Sequence, residues 1–188
     1  MLCDMDPMLS ETYTGQDIAG WWLSEKFDGV RAIWTGRELL SRNGNRINAP
    51  EWFIAQLPAI ALDGELWMWR GQFRRCLSCI RRGQTSDLWK DMRYIVFDAP
   101  KAAGPFESRI SIADDAITGC AVARIANQTQ AQNRTHMESI CTSLMRDGAE
   151  GVMLRQPGSA YDHFRSNAML KYKGVAKLRL LLECGVAV

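Results

Sequence analysis

Lys26-Phe27-Asp28-Gly29-Val30-Arg31 is the stretch on which the reading of this chain turns. It joins two segments of strand character, Trp21–Phe27 (WWLSEKF) and Val30–Trp34 (VRAIW), both rich in aromatic and β-branched side chains. Asp28-Gly29 reads as the turn between them, with Gly29 free to take φ values that other residues avoid. A lysine at the end of a strand projects to one face of a sheet. Asp28 stands two residues away and is placed to pair with it, and Arg31 adds a second cation nearby. A lysine among cations holds its proton less firmly, and its free amine can then attack an electrophile. Taken alone, the same residues also describe a surface lysine on a hairpin, so the choice rests on the rest of the chain.

Outward from this stretch, Thr35-Gly36 leads into a further strand, Glu38–Arg42, in the pattern of a β-meander. Pro50–Leu57 suits a short helix. Ile60–Met68 reads as a strand containing Asp63-Gly64, and Met92–Ala99 as a buried strand. Ser108–Arg124 is predicted helical. Arg134–Asp147 is the clearest helix, with Met137, Ile140, Cys141 and Leu144 on one face, Thr135 and Glu138 as a capping box and Gly148 as the stop. Glu150–Gln156 and Met169–Lys173 are further strands. Strands carry the chemistry-bearing segments with helices between them, which predicts an α+β domain.

The 188 residues, 47% hydrophobic and 23% charged, suffice for a substantial core and exclude global disorder. The net charge of +2 does not of itself point to nucleic acid. Met1–Pro7 lacks the basic and apolar regions of a signal peptide, and no apolar run reaches the roughly 18 residues of a membrane span. A cytoplasmic protein with reduced thiols and no membrane partner is expected. Cys76-Leu77-Ser78-Cys79 is a CxxC without a second pair at zinc spacing, and is read as two small buried residues. His136 and His163 have no apparent partners and are expected to be exposed. In Gln72–Arg82, Phe73, Cys76, Leu77 and Ile80 share one helical face, and Arg74, Arg75, Arg81 and Arg82 form an adjacent stripe. Five arginines between Arg70 and Arg82, with no acid among them, make a solvated face and a weak DNA-backbone contact equally good readings.

The remaining chemistry follows in order. Asp63-Gly64-Glu65 places a carboxylate after a strand turn. Phe97-Asp98 ends an apolar strand and offers an aromatic plate. Glu150–Arg155 (EGVMLR) adds a carboxylate and a basic end, and Lys171 and Lys173 fall on one side of a strand. A nucleophilic lysine, acids for ribose and metal, a plate for a base and cations for phosphate are the parts that nucleotidyl transfer needs.

In this order the segments resemble the covalent nucleotidyltransferase superfamily of DNA ligases, RNA ligases and mRNA capping enzymes. Lys26–Arg31 is similar to its KxDGxR motif and Asp63–Glu65 to its DGE motif. Tyr94–Asp98 is similar to the aromatic-bearing strand, Glu150–Arg155 to the EGxxxR motif, and Leu170–Lys173 (LKYK) to the final lysine motif. The chain looks most like the ATP-dependent DNA ligases of viruses and the accessory ligases of bacteria. Ser24-Glu25-Lys26, Ser41-Arg42-Asn43-Gly44, and Tyr161 and Arg165 ahead of LKYK carry that likeness.

The resemblance implies an adenylation domain of antiparallel sheets flanked by helices over residues 1–175. Lys26 would form a lysyl-AMP from ATP and pass the AMP to the 5′-phosphate of nicked double-stranded DNA, a step belonging to repair, replication and recombination. Phe97 would stack on adenine and Glu65 would bond the ribose. Ser24, Glu25 and Arg31 would help bind ATP. Lys171 and Lys173 would hold the α-phosphate and weaken the hold of Lys26 on its proton. Arg31 and Arg42 would hold the nick phosphate. Glu150 would serve Mg2+ (or Mn2+), and Asp28 would orient Lys26. An RNA ligase, a guanylyltransferase, or a non-catalytic nick- or nucleotide-binding module are the alternatives. DNA ligases continue with an OB-fold domain. The fifteen residues after Lys173 are too few for that five-stranded barrel, so residues 176–188 are expected to be a short tail, and a separate partner would take the OB-domain role.

Overall fold

The computed structural model describes residues 6–174. The tail at 176–188, with Cys3 and Cys184, lies outside them. Two sheets face each other across a cleft. The first has the order β1 (Leu9–Thr12), β11 (Arg165–Tyr172), β10 (Val152–Arg155), β2 (Trp22–Glu25), β9 (Thr129–Gln130). The second runs β5 (Arg46–Ile47), β4 (Leu39–Ser41), β3 (Val30–Trp34), β6 (Leu62–Trp67), β7 (Arg93–Asp98), β8 (Ala123–Ile125). Pairing is antiparallel except at β1–β11 and β7–β8, so the sheets are mixed. Among the described residues no helix is long and apolar enough to cross a membrane.

The expected hairpin around Asp28-Gly29 does not form. β2 pairs with β10 and β9, whereas β3 pairs with β4 and β6. The chain leaves one sheet at Glu25 and enters the other at Val30, which puts Lys26 at the crossing. The role of Gly29 changes with it. Its φ is not positive. A Cβ there would lie 2.3 Å from the Leu66 carbonyl oxygen, so the position is bare because β6 passes against it.

Each sheet buries its outer face under helices. Behind the second sheet, Ala32, Trp34, Leu62, Leu66 and Tyr94 pack with Phe53 and Trp89. α1 (Glu51–Ile54), α2 (Phe73–Arg82) and α3 (Phe106–Ile117) cover this side. Behind the first, Leu23, Val152, Leu154 and Leu170 pack on Met137 and Cys141 of α4 (Arg134–Arg146). Period-two alternation then turns Ser24, Met153 and Lys171 into the cleft.

Three local expectations are corrected. α3 ends at Ile117, and Ala123–Ile125 is a strand beside β7, because the chain turns at Gly119, where φ is 80°. α4 is capped by Asn133, whose side chain accepts from the His136 N–H at 2.9 Å, while Glu138 pairs with Arg134 instead of closing a box with Thr135. On α2 the buried residues are Cys76 and Cys79, and Phe73 is 38% exposed, so the apolar face is rotated from the expected one. Burial pushes the Cys76 thiol up to about 12, which makes it inert and fits the reading of the CxxC as packing. His136 is half-buried, and its Nδ1 accepts from the Gln132 N–H at 3.2 Å.

One buried ionic cluster ties the layers together. Asp98, at the end of β7, is fully buried. Arg109 of α3 donates to both its oxygens at 2.7 and 3.1 Å, and Arg155 of β10 donates to Oδ2. Removing the shared carboxylate leaves two buried guanidinium groups without a counter-charge. Asp98→Ala is expected to lose about 3–5 kcal/mol of stability, read from the midpoint and slope of urea unfolding. An unchanged midpoint would show that the cluster is not a structural tie.

Candidate active site

The cleft between the sheets has a volume of roughly 310 Å³, the size of a small-ligand site. It is lined from one sheet by Ser24, Glu25, Met153, Arg155, Lys171 and Lys173, and from the other by Arg31, Glu65 and Phe97, with Lys26 and Phe27 at the crossing. The structure thus gathers all the expected nucleotide ligands except Glu150 directly on its walls, and Glu150 reaches the same place through the lysines. The register explains how. Met153 lies between Ser24 and Lys171, forming one cross-strand row. Two residues along, the Lys26 N–H donates to the Gly151 carbonyl at 2.9 Å, and the same registers set Gly151 between Lys26 and Lys173. Gly151 has φ 151°, and a Cβ would lie 2.3 Å from the Tyr172 carbonyl oxygen. With no side chain in the middle of this row, the two flanking lysines converge on one carboxylate.

That carboxylate is Glu150. Lys26 Nζ pairs with its Oε2, and Lys173 Nζ pairs with Oε1 at 2.5 Å. Burial disfavours the ionised carboxyl, but hydrogen bonds from Lys173 and Lys26, with their charges, hold Glu150 below its ordinary range. The ion-pair partner of Lys26 is therefore Glu150 and not Asp28. Lys173 also does not confront Lys26 directly, since the carboxylate stands between them. Lys171 lines the cleft with no ion pair among the described residues.

Arg31 is held firmly. Its Nε and Nη2 donate to Asp63 at 2.6 and 2.5 Å, and Nη2 also donates to the Met8 carbonyl at 3.1 Å. Tyr161 donates to Asp63 at 2.7 Å and accepts from the Met8 N–H at 3.0 Å. The guanidinium carbon lies 4.7 Å from the centre of the Phe97 ring. Among the described residues Nη1 has no hydrogen-bond partner. Sequence reasoning gave Asp63 and Met8 no part in the site. The pairing of Asp63 with Arg31 was within reach, because both lie in motif segments, but the strand register that makes them neighbours was not. Arg42, exposed at the rim, carries no ion pair among the described residues. Glu25 reaches the wall, and its carboxylate accepts from Arg70 at 2.8 and 3.0 Å.

The α2 arginines lie outside the cleft. Arg74, Arg81 and Arg82 border a shallow groove with Leu77 and Ser78, while Arg75 leaves the expected stripe to pair with Asp91 at 2.6 Å. Among the described residues no three His, Cys, Asp or Glu gather to hold a metal ion. Magnesium needs only one or two protein carboxylates when substrate phosphates supply other ligands, so Glu150 beside Lys26 is a chemically adequate donor.

The comparisons agree with this geometry. Residues 1–173 match the family model described as the ATP dependent DNA ligase domain, and the chain belongs to that family. A DNA ligase of Haemophilus influenzae is 35% identical over 173 residues, covering 89% of this chain and 63% of that protein, so the chain spans somewhat less than two thirds of this relative. A Lig E DNA ligase structure described as binding DNA with a minimal scaffold superposes with a TM-score of 0.84 at 34% identity, over 90% of this chain and 68% of that one. The Chlorella virus DNA ligase-adenylate shares the fold, with a TM-score of 0.76 at 22% identity over 90% of this chain and 69% of that one.

Glu65 supplies a pH test. Burial pushes its carboxyl up from 4.5 to about 7, against the charges of Arg31 and Lys26 and a hydrogen bond from the Gly29 N–H. Between these values the folded state holds a proton that the unfolded chain has released. Stability is therefore expected to fall as pH rises from 4.5 through 7, by on the order of 3 kcal/mol, and then to level off. Glu65→Gln should flatten that part of the profile and melt higher than wild type at pH 8. Equal slopes in the two proteins would place Glu65 in water.

Proposed function

We propose that this chain is the catalytic domain of an ATP-dependent DNA ligase, with Lys26 as the residue that carries AMP. The observation that supports this most is Lys26 Nζ standing in the cleft on a carboxylate shared with Lys173, opposite the Phe97 plate. In the first step Nζ, as the free amine with its proton lost to solvent, attacks the α-phosphorus of ATP. The N–P bond forms, the bond to the bridging oxygen breaks, and pyrophosphate leaves. In the second step an oxygen of the DNA 5′-phosphate attacks the same phosphorus and the lysine departs. In the third the 3′-hydroxyl attacks the 5′-phosphate and AMP departs.

Phe97 stacks on the adenine, Glu65 bonds the ribose, and Lys171 and Lys173 hold the α-phosphate. Ser24 and Glu25 line the same cleft and help bind the nucleotide, with Glu25 held by Arg70. Arg42 and the free Nη1 of Arg31 take the nick phosphate, as a guanidinium suits a phosphate better than an ammonium does. Arg74, Arg81 and Arg82 add a weaker hold on the DNA backbone. A magnesium ion, bound with the nucleotide, would be held by Glu150 and would neutralise charge on the phosphates.

Intact mass after incubation with ATP and magnesium tests the reading. Wild type is expected to gain the mass of one AMP, and Lys26→Ala to gain none. The same gain in Lys26→Ala would overturn Lys26 as the nucleophile. Denatured protein must retain the adduct, since a phosphoramidate is covalent and a bound nucleotide is not.

A further inference from the structure

Nothing above accounts for how the site would tell adenine from guanine. Phe97 offers a face that suits any base. The discriminating group must lie at the edge of that plate and have a fixed donor or acceptor sense. Among the described residues that line the cleft, Gln128 carries the only side-chain amide. Gln128 lines it, and the Leu23–Thr129 register sets Gln128 opposite Ser24, at the end of the row that continues through Met153 to Lys171. This row lies two residues, roughly 7 Å, from the row that carries Lys26.

The orientation of the amide follows from its partner. Gln128 Nε2 donates to the Ala126 carbonyl at 3.2 Å. A carbonyl only accepts, so the nitrogen must be the atom on that side, and Oε1 has no partner among the described residues. Ala126 is itself fixed to β7, since its N–H donates to the Val96 carbonyl at 2.8 Å, next to Phe97. The amide is thus anchored to the strand that carries the plate.

We propose that Gln128 is a base-specificity residue, whose Oε1 accepts a hydrogen bond from the 6-amino group of adenine. This rests on the adenylation reading above. Guanine presents an oxygen at the same position, and two acceptors would face each other. Turning the amide over to suit guanine would set its own oxygen against the Ala126 carbonyl. A base with no 6-substituent neither gains nor loses this bond.

Equilibrium binding by calorimetry of the 188-residue chain tests this with AMP, GMP and purine riboside 5′-monophosphate. Wild type should prefer AMP to the purine riboside nucleotide by roughly 3- to 10-fold, the worth of one hydrogen bond. In Gln128→Leu and Gln128→Ala the AMP affinity should fall to that of the purine riboside nucleotide, whose own affinity stays within about twofold. General damage to the fold would weaken both ligands and leave their ratio unchanged. An AMP preference that survives in both variants overturns the role of Gln128 alone. Failure of wild type to bind any of the three overturns the adenylation reading and this inference with it.

Discussion

Asp98 is the point at which the two halves of the cleft are joined. It ends β7 of one sheet, and its partners come from β10 of the other sheet and from α3. A single buried carboxylate would be expelled or neutralised, as would either arginine. Together they are satisfied, and the geometry that satisfies them also sets the width of the cleft. Phe97 precedes Asp98, and Met153 stands two residues before Arg155. The bond between Asp98 and Arg155 therefore fixes how far the aromatic plate stands from the opposite wall.

The charges in the cleft divide into those already committed and those left over. Arg155 is spent on the tie, Arg31 is largely spent on Asp63, and Lys26 and Lys173 share Glu150. Among the described residues, Lys171, Arg42 and one nitrogen of Arg31 remain. A ligand rich in phosphate meets few free cations, but their neighbours are already locked in place. Little side-chain order is lost when such a ligand enters, which is the advantage of preorganisation.

Much of this could be read from the chain alone, because the motif residues are set by chemistry that tolerates few substitutes. Lys26, Glu65, Phe97, Glu150, Lys171 and Lys173 all converge as expected. The failures share a cause. Hairpin, cap and helix-face readings use only local spacing, and each was overridden by a distant partner. The Asp28-Gly29 turn looked like a hairpin because nothing nearby reveals that β10 claims β2 and β6 claims β3. Gly29 looked like a turn glycine, whereas the backbone of Leu66, far along the chain, is what excludes a side chain. The ion pairs of Arg75 with Asp91 and of Glu25 with Arg70 are equally hidden, since these partners become neighbours only on folding. Asp63 and Asp98 lie in motif segments, but the distant partners that bury and hold them are set by strand register.

The two cross-strand rows described above bear on how such a protein can change over generations. The row with Lys26, Gly151 and Lys173 is constrained at every position, and its central glycine tolerates no side chain. The row from Ser24 through Met153 ends at Gln128, just outside the two-residue edge strand β9. Gln128 is half-buried and stands apart from the row that carries Lys26 and Lys173. On the roles proposed for Gln128 and Lys26, nucleotide preference and bond-making are separable traits in this scaffold: drift at one margin of a sheet can retune what is accepted while the reaction itself is inherited intact.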